Sequence, residues 1–292
     1  MAKIEGAFEK ELEVGTSVRL EVKTGSGDVD ILPGKDGRLG VSAEFDVKAS
    51  SQGQAEELAR RIEADPPIEV DGDLVRIGDL SKYSLGRQPL GPFAVFDFSI
   101  SAPRETQAML KSGSGDHQVR GLRGPVRVRA GSGDVQIEDI EGDVDVGVGS
   151  GDIRIARARS AVSAESGRGG VDLTETTGPV TVKAGCGDMS LRDIGGNIDA
   201  SVGHGDITLE SPVGAGAEWA LKAGSGDVEL LLPRDSQFRL CAVSVSGDIE
   251  TDFDLESPGG IGKKKVEGQA GEDTSAGINV TTGHGDITIE AR

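Results

Sequence analysis

From Val126 onward, apolar residues recur in two short alternating segments every 18 residues. Val126, Val128 and Ala130 make the first segment, and Val135 and Ile137 the second. The pattern returns as Val144, Val146 and Val148 with Ile153 and Ile155, then as Val180, Val182 and Ala184 with Met189 and Leu191. Ile198, Ala200 and Val202 with Ile207 and Leu209 repeat it again. Alternation with a period of two places these side chains on one face of a strand, so each repeat predicts two short strands. A looser apolar column, Leu122, Ile140, Ala158, Thr176 and Ile194, closes each second segment.

The polar positions are equally ordered. A GxGD corner begins at Gly113, Gly131, Gly149, Gly167 (as GRGG), Gly185 and Gly203, and again at Gly224 and Gly283. Val245-Ser246-Gly247-Asp248 is a weakened copy, and Gly25 opens an early one. Gly124, Gly142, Ser160, Gly178 and Gly196 mark a second turn. Identical columns at a fixed short period are what stacked windings require, because each winding buries its aliphatic face only against its neighbours. The expected fold is therefore an all-β β-solenoid (β-helix) with 18-residue coils, in which one repeat cannot fold alone.

Two regions depart from this period. The early copy, Val18 to Ile31, stands 88 residues ahead of its counterpart in the array. Between them, residues 54–64 show helical spacing (Ala55, Leu58, Ala59, Ile62) ended by Pro66-Pro67. Strands are predicted at Ile68 to Val70, Leu74 to Ile77 and Phe93 to Ser101, with a loop over residues 78–92. This divides the chain into residues 1–105, a first coil with an α/β insertion that caps the solenoid at its N-terminal end, and residues 106–292, the repeat array with enlarged C-terminal coils. Beyond Gly203 the period lengthens, with Trp219, Phe238 and Leu240 near or at the Val columns. Residues 257–276, containing Lys263-Lys264-Lys265, read as a surface loop, and Ile278 to Glu290 as the last coil.

Composition narrows the function classes. The 292 residues include 45 Gly, 3% aromatics and a net charge of −19. An acidic surface of this size repels phosphate backbones, which excludes general nucleic-acid binding. No apolar run approaches the length of a membrane helix, so no membrane insertion is expected. The start lacks the apolar core of a secretory signal and the chain has two Cys, so a cytoplasmic location is expected.

The candidate chemistry lies at the corners. Asp116, Asp134, Asp152, Asp188, Asp206, Asp227, Asp248 and Asp286 form a turn column whose carboxylates, about 5 Å apart when stacked, repel unless compensated. Capping by turn amides is one compensation, and Ca²⁺ between coils is another. The spacing of known calcium-binding rolls places Asp two residues after Gly, which favours the capping. Cys186 and His204 replace the usual corner Ser one period apart, beside Asp188 and Asp206, and these four are the weak metal candidates. A corner tolerates such substitution, and no third neutral ligand is evident, so no metal, cofactor or catalytic residue is assigned. Glu138-Asp139 and Asp143/Asp145 imitate carboxylate pairs of polysaccharide-acting enzymes but lack the long loops that shape a cleft. No Gly-rich phosphate loop is present.

The segments GSGDVQI, GDVDVGVGSGDIRI and GHGDITI resemble the bacterial GxGDV β-strand-repeat family of unknown function, whose members carry adhesin names. The resemblance covers nearly the whole chain, and implies a β-helical fold without known catalytic activity and a group that includes envelope-associated members. The expected function is a non-catalytic scaffold or adhesin-like binding module with a protein or envelope-associated partner. Self-association into filaments is the alternative, and a polysaccharide-acting β-helix enzyme a further one.

Overall fold

The computed structural model describes residues 2–80, 83, 93–256, 261–262, 264–272 and 275–292. These are all-β apart from one α-helix, and they divide into two compact units, Met1–Gly142 and Asp143–Arg292.

The first unit contains β1 (Ala2–Glu13), β2 (Ser17–Ser26), β3 (Val29–Pro33), β4 (Arg38–Ala49), α1 (Gln52–Ala64), β5 (Ile68–Asp71), β6 (Leu74–Ile77), β7 (Phe93–Ala102), β8 (Glu105–Ser114), β9 (His117–Arg120), β10 (Val126–Ser132) and β11 (Val135–Ile140). One sheet runs β1-β4-β7-β3-β9-β11 and the other β10-β8-β2-β6-β5. The repeat strands pair in parallel, with Val126 opposite Ala108 and Val135 opposite His117. The early copy stacks directly on its distant counterpart, Leu20 opposite Ala108 and Val22 opposite Leu110. The chain ahead of the early copy adds β1 and the intervening chain adds β4 and β7, joined antiparallel in the order β1-β4-β7, and their Phe8, Phe45, Phe96 and Phe98 form a continuous ring cluster with centroid spacings of 6.4, 5.5 and 5.3 Å. The helix buries Ala55, Leu58, Ala59 and Ile62 and packs on β1 and β4. It starts at Gln52, two residues before the predicted start, because the Ser51 hydroxyl caps it by accepting from the Gln54 amide at 3.4 Å.

The second unit contains β12 (Val144–Ser150), β13 (Ile153–Ala158), β14 (Val162–Arg168), β15 (Val171–Thr176), β16 (Val180–Cys186), β17 (Met189–Ile194), β18 (Ile198–His204), β19 (Ile207–Glu210), β20 (Glu218–Ser225), β21 (Val228–Leu232), β22 (Phe238–Ser246), β23 (Ile249–Thr251), β24 (Ile261–Gly262), β25 (Lys265–Ala270), β26 (Gly277–His284) and β27 (Ile287–Ala291). One sheet runs β13-β15-β17-β19-β21-β27-β23, the other β24-β25-β22-β26-β20-β18-β16-β14-β12. Partners in the regular part are eighteen residues apart, as in Val144 opposite Val162 opposite Val180 opposite Ile198. The aliphatic columns are buried, Val182, Leu191 and Ile207 being fully so. Trp219 stands in the same column, opposite Ile198, and donates its ring N–H to Gly196 O at 3.2 Å.

Two expectations need correction, and one pair of strands is unforeseen. Ile278 to Glu290 is last in the chain but not in space: β26 lies between β20 and β22, and β27 between β21 and β23. Periodicity reports chain order only, and the copy with the intact GHGD corner fits between two neighbours while β23, after the weakened VSGD corner, has one partner strand among the described residues. Within the loop expected over 257–276, Lys265–Ala270 is a strand that pairs antiparallel with β22, which buries Val266 and Ala270. The remainder at 257–260, 263 and 273–274, with 81–82 and 84–92 of the earlier loop, lies outside the described residues. Finally, β1 and β4 had no counterpart in the sequence reading, since their alternation matches no repeat column.

Glycine at the corners answers to space as well as to dihedral angle. A Cβ on Gly185 would lie 2.5 Å from Gly167 O in the neighbouring repeat, closer than real Cβ contacts come. Gly187 in the same corner has φ +130°, a conformation that side-chain-bearing residues rarely adopt. Near the ends of β11, β13, β15 and β17, just ahead of the other turn, residues with side chains take the left-handed conformation: Asp139, Arg157, Glu175 and Asp193 hold φ between 53° and 57°. An L-residue there bears a cost of roughly 1 kcal/mol. Gly185→Ala is therefore expected to lower stability by about 2–3 kcal/mol, whereas Arg157→Gly, at an exposed left-handed position, should raise it by about 0.5–1 kcal/mol. Urea unfolding midpoints of the two variants test this contrast.

Candidate functional site

The corner carboxylates are the most regular polar feature, and each unit shows what they do. In the first, Asp97 Oδ1 accepts from the Asp28 amide, Asp28 from the Asp116 amide and Asp116 from the Asp134 amide, all at 2.8 Å. In the second, Asp152 accepts from Gly170 N at 2.9 Å, Asp188 from Asp206 N at 3.0 Å and Asp206 from Asp227 N at 2.8 Å. Asp227 accepts from Asp286 N at 2.7 Å and Asp286 from Asp248 N at 2.8 Å. Each carboxylate thus caps the next corner, and a charge-assisted bond offsets the repulsion between stacked acids. Sequence reasoning missed Asp97. Its signal is the Asp97-Phe98-Ser99-Ile100 run, the second half of a corner motif without its glycines.

Within the second unit the chain of caps is interrupted at Gly170. Gly170 stands where Asp stands elsewhere and offers no carboxylate to the Asp188 amide. Its φ is not positive, and an added Cβ would meet its closest neighbour at an ordinary 3.4 Å.

Cys186 and His204 are opposite each other across β16 and β18, next to Arg168 and Ser225 in the same row. Asp188 and Asp206 are joined by their own cap. Among the described residues no group of three or more His, Cys, Asp or Glu is arranged to hold a metal ion. His284 pairs with Ser225 and so is two strands from His204. Cys186 is exposed and Cys241 half-buried, and both are free. The acidic pairs have structural partners: Glu138 faces Arg120 at 3.6 Å, and Asp143 accepts from the Ser160 hydroxyl and from Ala161 N.

The third histidine occupies a place the sequence reading left unremarked. His117 sits in the aliphatic column between Val29 and Val135, 2% exposed, with neither ring nitrogen hydrogen-bonded. Burial pushes its pKa below the ordinary 6.5, against the pull of Asp28 and Asp116 towards the charged form.

Outside the core, the parallel register lines up polar side chains. One row runs Asp145, Ser163, Thr181, Asp199, Ala220 and Asn279, and on the other sheet Arg154, Asp172, Ser190, Thr208, Glu229 and Thr288. Successive members are separated by the strand spacing of about 4.8 Å. An open cleft of about 670 Å³ in the second unit has Ile249, Phe253, Leu255 and Val266 on its walls and Asp254, Glu256 and Glu272 beside them.

These features define a class: an all-β, solenoid-like repeat protein whose recurrent corner carboxylates tie repeat to repeat. The Toastrack DUF4097 family model matches residues 96–181 and 159–290, about two thirds of the chain, and the chain belongs to that family. Among solved structures it is similar to a putative adhesin from Bacteroides fragilis at 12% identity, covering 97% of each chain with a TM-score of 0.47. It is also similar to a putative cell adhesion protein from Clostridium sporogenes at 12% identity, covering 97% of this chain and 99% of that one with a TM-score of 0.23. A putative lipid binding protein from Parabacteroides distasonis matches at 11% identity, 97% and 96% coverage and a TM-score of 0.32. No curated protein matches.

Two predictions follow from the corner and the buried histidine. Gly170→Asp should raise stability by about 1 kcal/mol by completing the chain of caps, with Gly170→Ala as the control that adds a Cβ without an acceptor. Because the folded pKa of His117 is depressed, the unfolded chain binds the proton first, and stability should fall as pH drops below about 6.5. Melting temperatures between pH 7.5 and 5.5 for wild type and His117→Val measure this. The variant, which restores the aliphatic column, should show a shallower loss.

Proposed function

We propose that this protein is a non-catalytic β-solenoid of 18-residue coils, closed at its N-terminal end by α1, that acts as a scaffold or adhesin-like binding module. The observation that carries the reading is the pair of polar rows on the outer sheet faces of the second unit. Parallel stacking in register makes them rigid, so a partner meets side chains already ordered and loses little entropy on their side of the contact. Rows repeating at the strand spacing suit an extended partner, a protein segment or an envelope-associated chain, that lies along the stack. The corner carboxylates and the buried columns are occupied in holding the repeats together, which leaves these faces for recognition. A cytoplasmic location is part of the proposal, and the two unbridged cysteines are in keeping with a reducing compartment.

Affinity capture from a host lysate and envelope fraction with wild-type protein, and with the double variant Thr181→Arg/Asp199→Arg, tests the proposal. Both positions are exposed, so the variant should keep its β-sheet circular dichroism and melting temperature while losing the captured partner at least about tenfold. Capture that is indifferent to this variant and to the matching change Ser190→Arg/Thr208→Arg on the other sheet would remove the rows from the account.

A further inference from the structure

The first unit ends its longer sheet on β1, a strand that pairs with β4 over residues 2–13 and, among the described residues, with no strand on its other side. Edges of this length are commonly shortened, bulged or covered. This one pairs without a bulge through its whole register, from Ala2 opposite Ala49 to Glu13 opposite Arg38. Its helix-facing partner α1 packs over it and β4, which holds the strand in place.

We propose that β1 is a dimer interface, pairing antiparallel with β1 of a second copy about a two-fold axis at Gly6. The argument is charge complementarity along the edge. In a symmetric antiparallel pair, residues opposite each other share a face, so each register is centred on one residue. Centring at Glu5, Glu9 or Lys10 sets that charge against itself. Centring at Ala7 sets Glu5 against Glu9, and centring at Phe8 sets Glu5 against Glu11. Gly6 alone, among centres from Glu5 to Lys10, brings no like charges face to face. It places Lys3 opposite the partner's Glu9 twice and Ile4 opposite the partner's Phe8 twice. Lys3 already sits in a carboxylate-rich row, 2.7 Å from Glu5 and 3.1 Å from Asp46. Ile4 is half-buried within one chain, while Phe8 is 7% exposed and anchored on the Phe45 ring. Pairing would cover the remaining surface of Ile4 and satisfy the outward amides and carbonyls of the edge.

Sedimentation velocity of the full chain across a concentration series reads this directly, and a reversible dimer is expected. Lys3→Glu and Glu9→Lys should each weaken it at least about tenfold, because each sets like charges across the axis. The double variant Lys3→Glu/Glu9→Lys restores the opposite pairing and should recover the dimer. Because Glu9→Lys leaves the Lys3 contacts to Glu5 and Asp46 untouched, it separates dimer loss from a fold defect. A monomer at every concentration, or a dimer that both single variants leave unchanged, overturns the proposal.

Discussion

The structure depends on how closely adjacent repeats approach at their corners. Backbone meets backbone with no room for a Cβ at Gly185, and the Asp of one corner takes the amide of the next. Neither contact exists within a single repeat. Every buried aliphatic column presupposes them, since only a register held at the corners puts Val162 on Val180 and Leu173 on Leu191. The corner glycines and the corner acids therefore have one origin, and neither signals a flexible chain.

This constraint also decides where irregular pieces go. Strands β26 and β27, with their intact GHGD corner, stand inside the stack, and the weakened corner before β23 stands outside them. The early corner at Gly25 finds its partner across 88 residues, and Asp97 supplies a cap from a strand that lacks the glycines. A corner missing its acid, at Gly170, is tolerated because backbone pairing continues on both sides, with Val171 N bonded to Asp188 O. What the stack does not use, among the described residues, is the polar rows on the outer faces and the outer edge of β1, and the proposals above rest on these.

Much of this was legible before any coordinates. Positions whose requirement repeats, such as the columns through Val182 and Leu191, announce themselves by recurring, and so do the corner glycines. The pairing of Cys186 with His204 followed from the period alone. What escaped was whatever occurs once. Strand β1 matches no column, the inserted position of β26 is invisible to chain order, and β25 lay within a Gly-rich, Lys-containing run that reads as loop. His117 was hidden by its own type: a polar letter in an aliphatic column reads as a break, whereas the structure buries it between Val29 and Val135. A proposed partner has no signature at all in a repeat whose recurrent residues are architectural.

Residue-resolved amide hydrogen exchange tests the central claim most directly. The amides of Asp116, Asp134, Asp206, Asp227 and Asp286 lie in exposed corners, yet each is held by a carboxylate of the adjoining repeat. They should exchange as slowly as the strands beside them, with Asp188, which faces Gly170, standing out as fast. Uniformly rapid exchange at all these corners, with the strands still protected, would show that the acids do not join one repeat to the next.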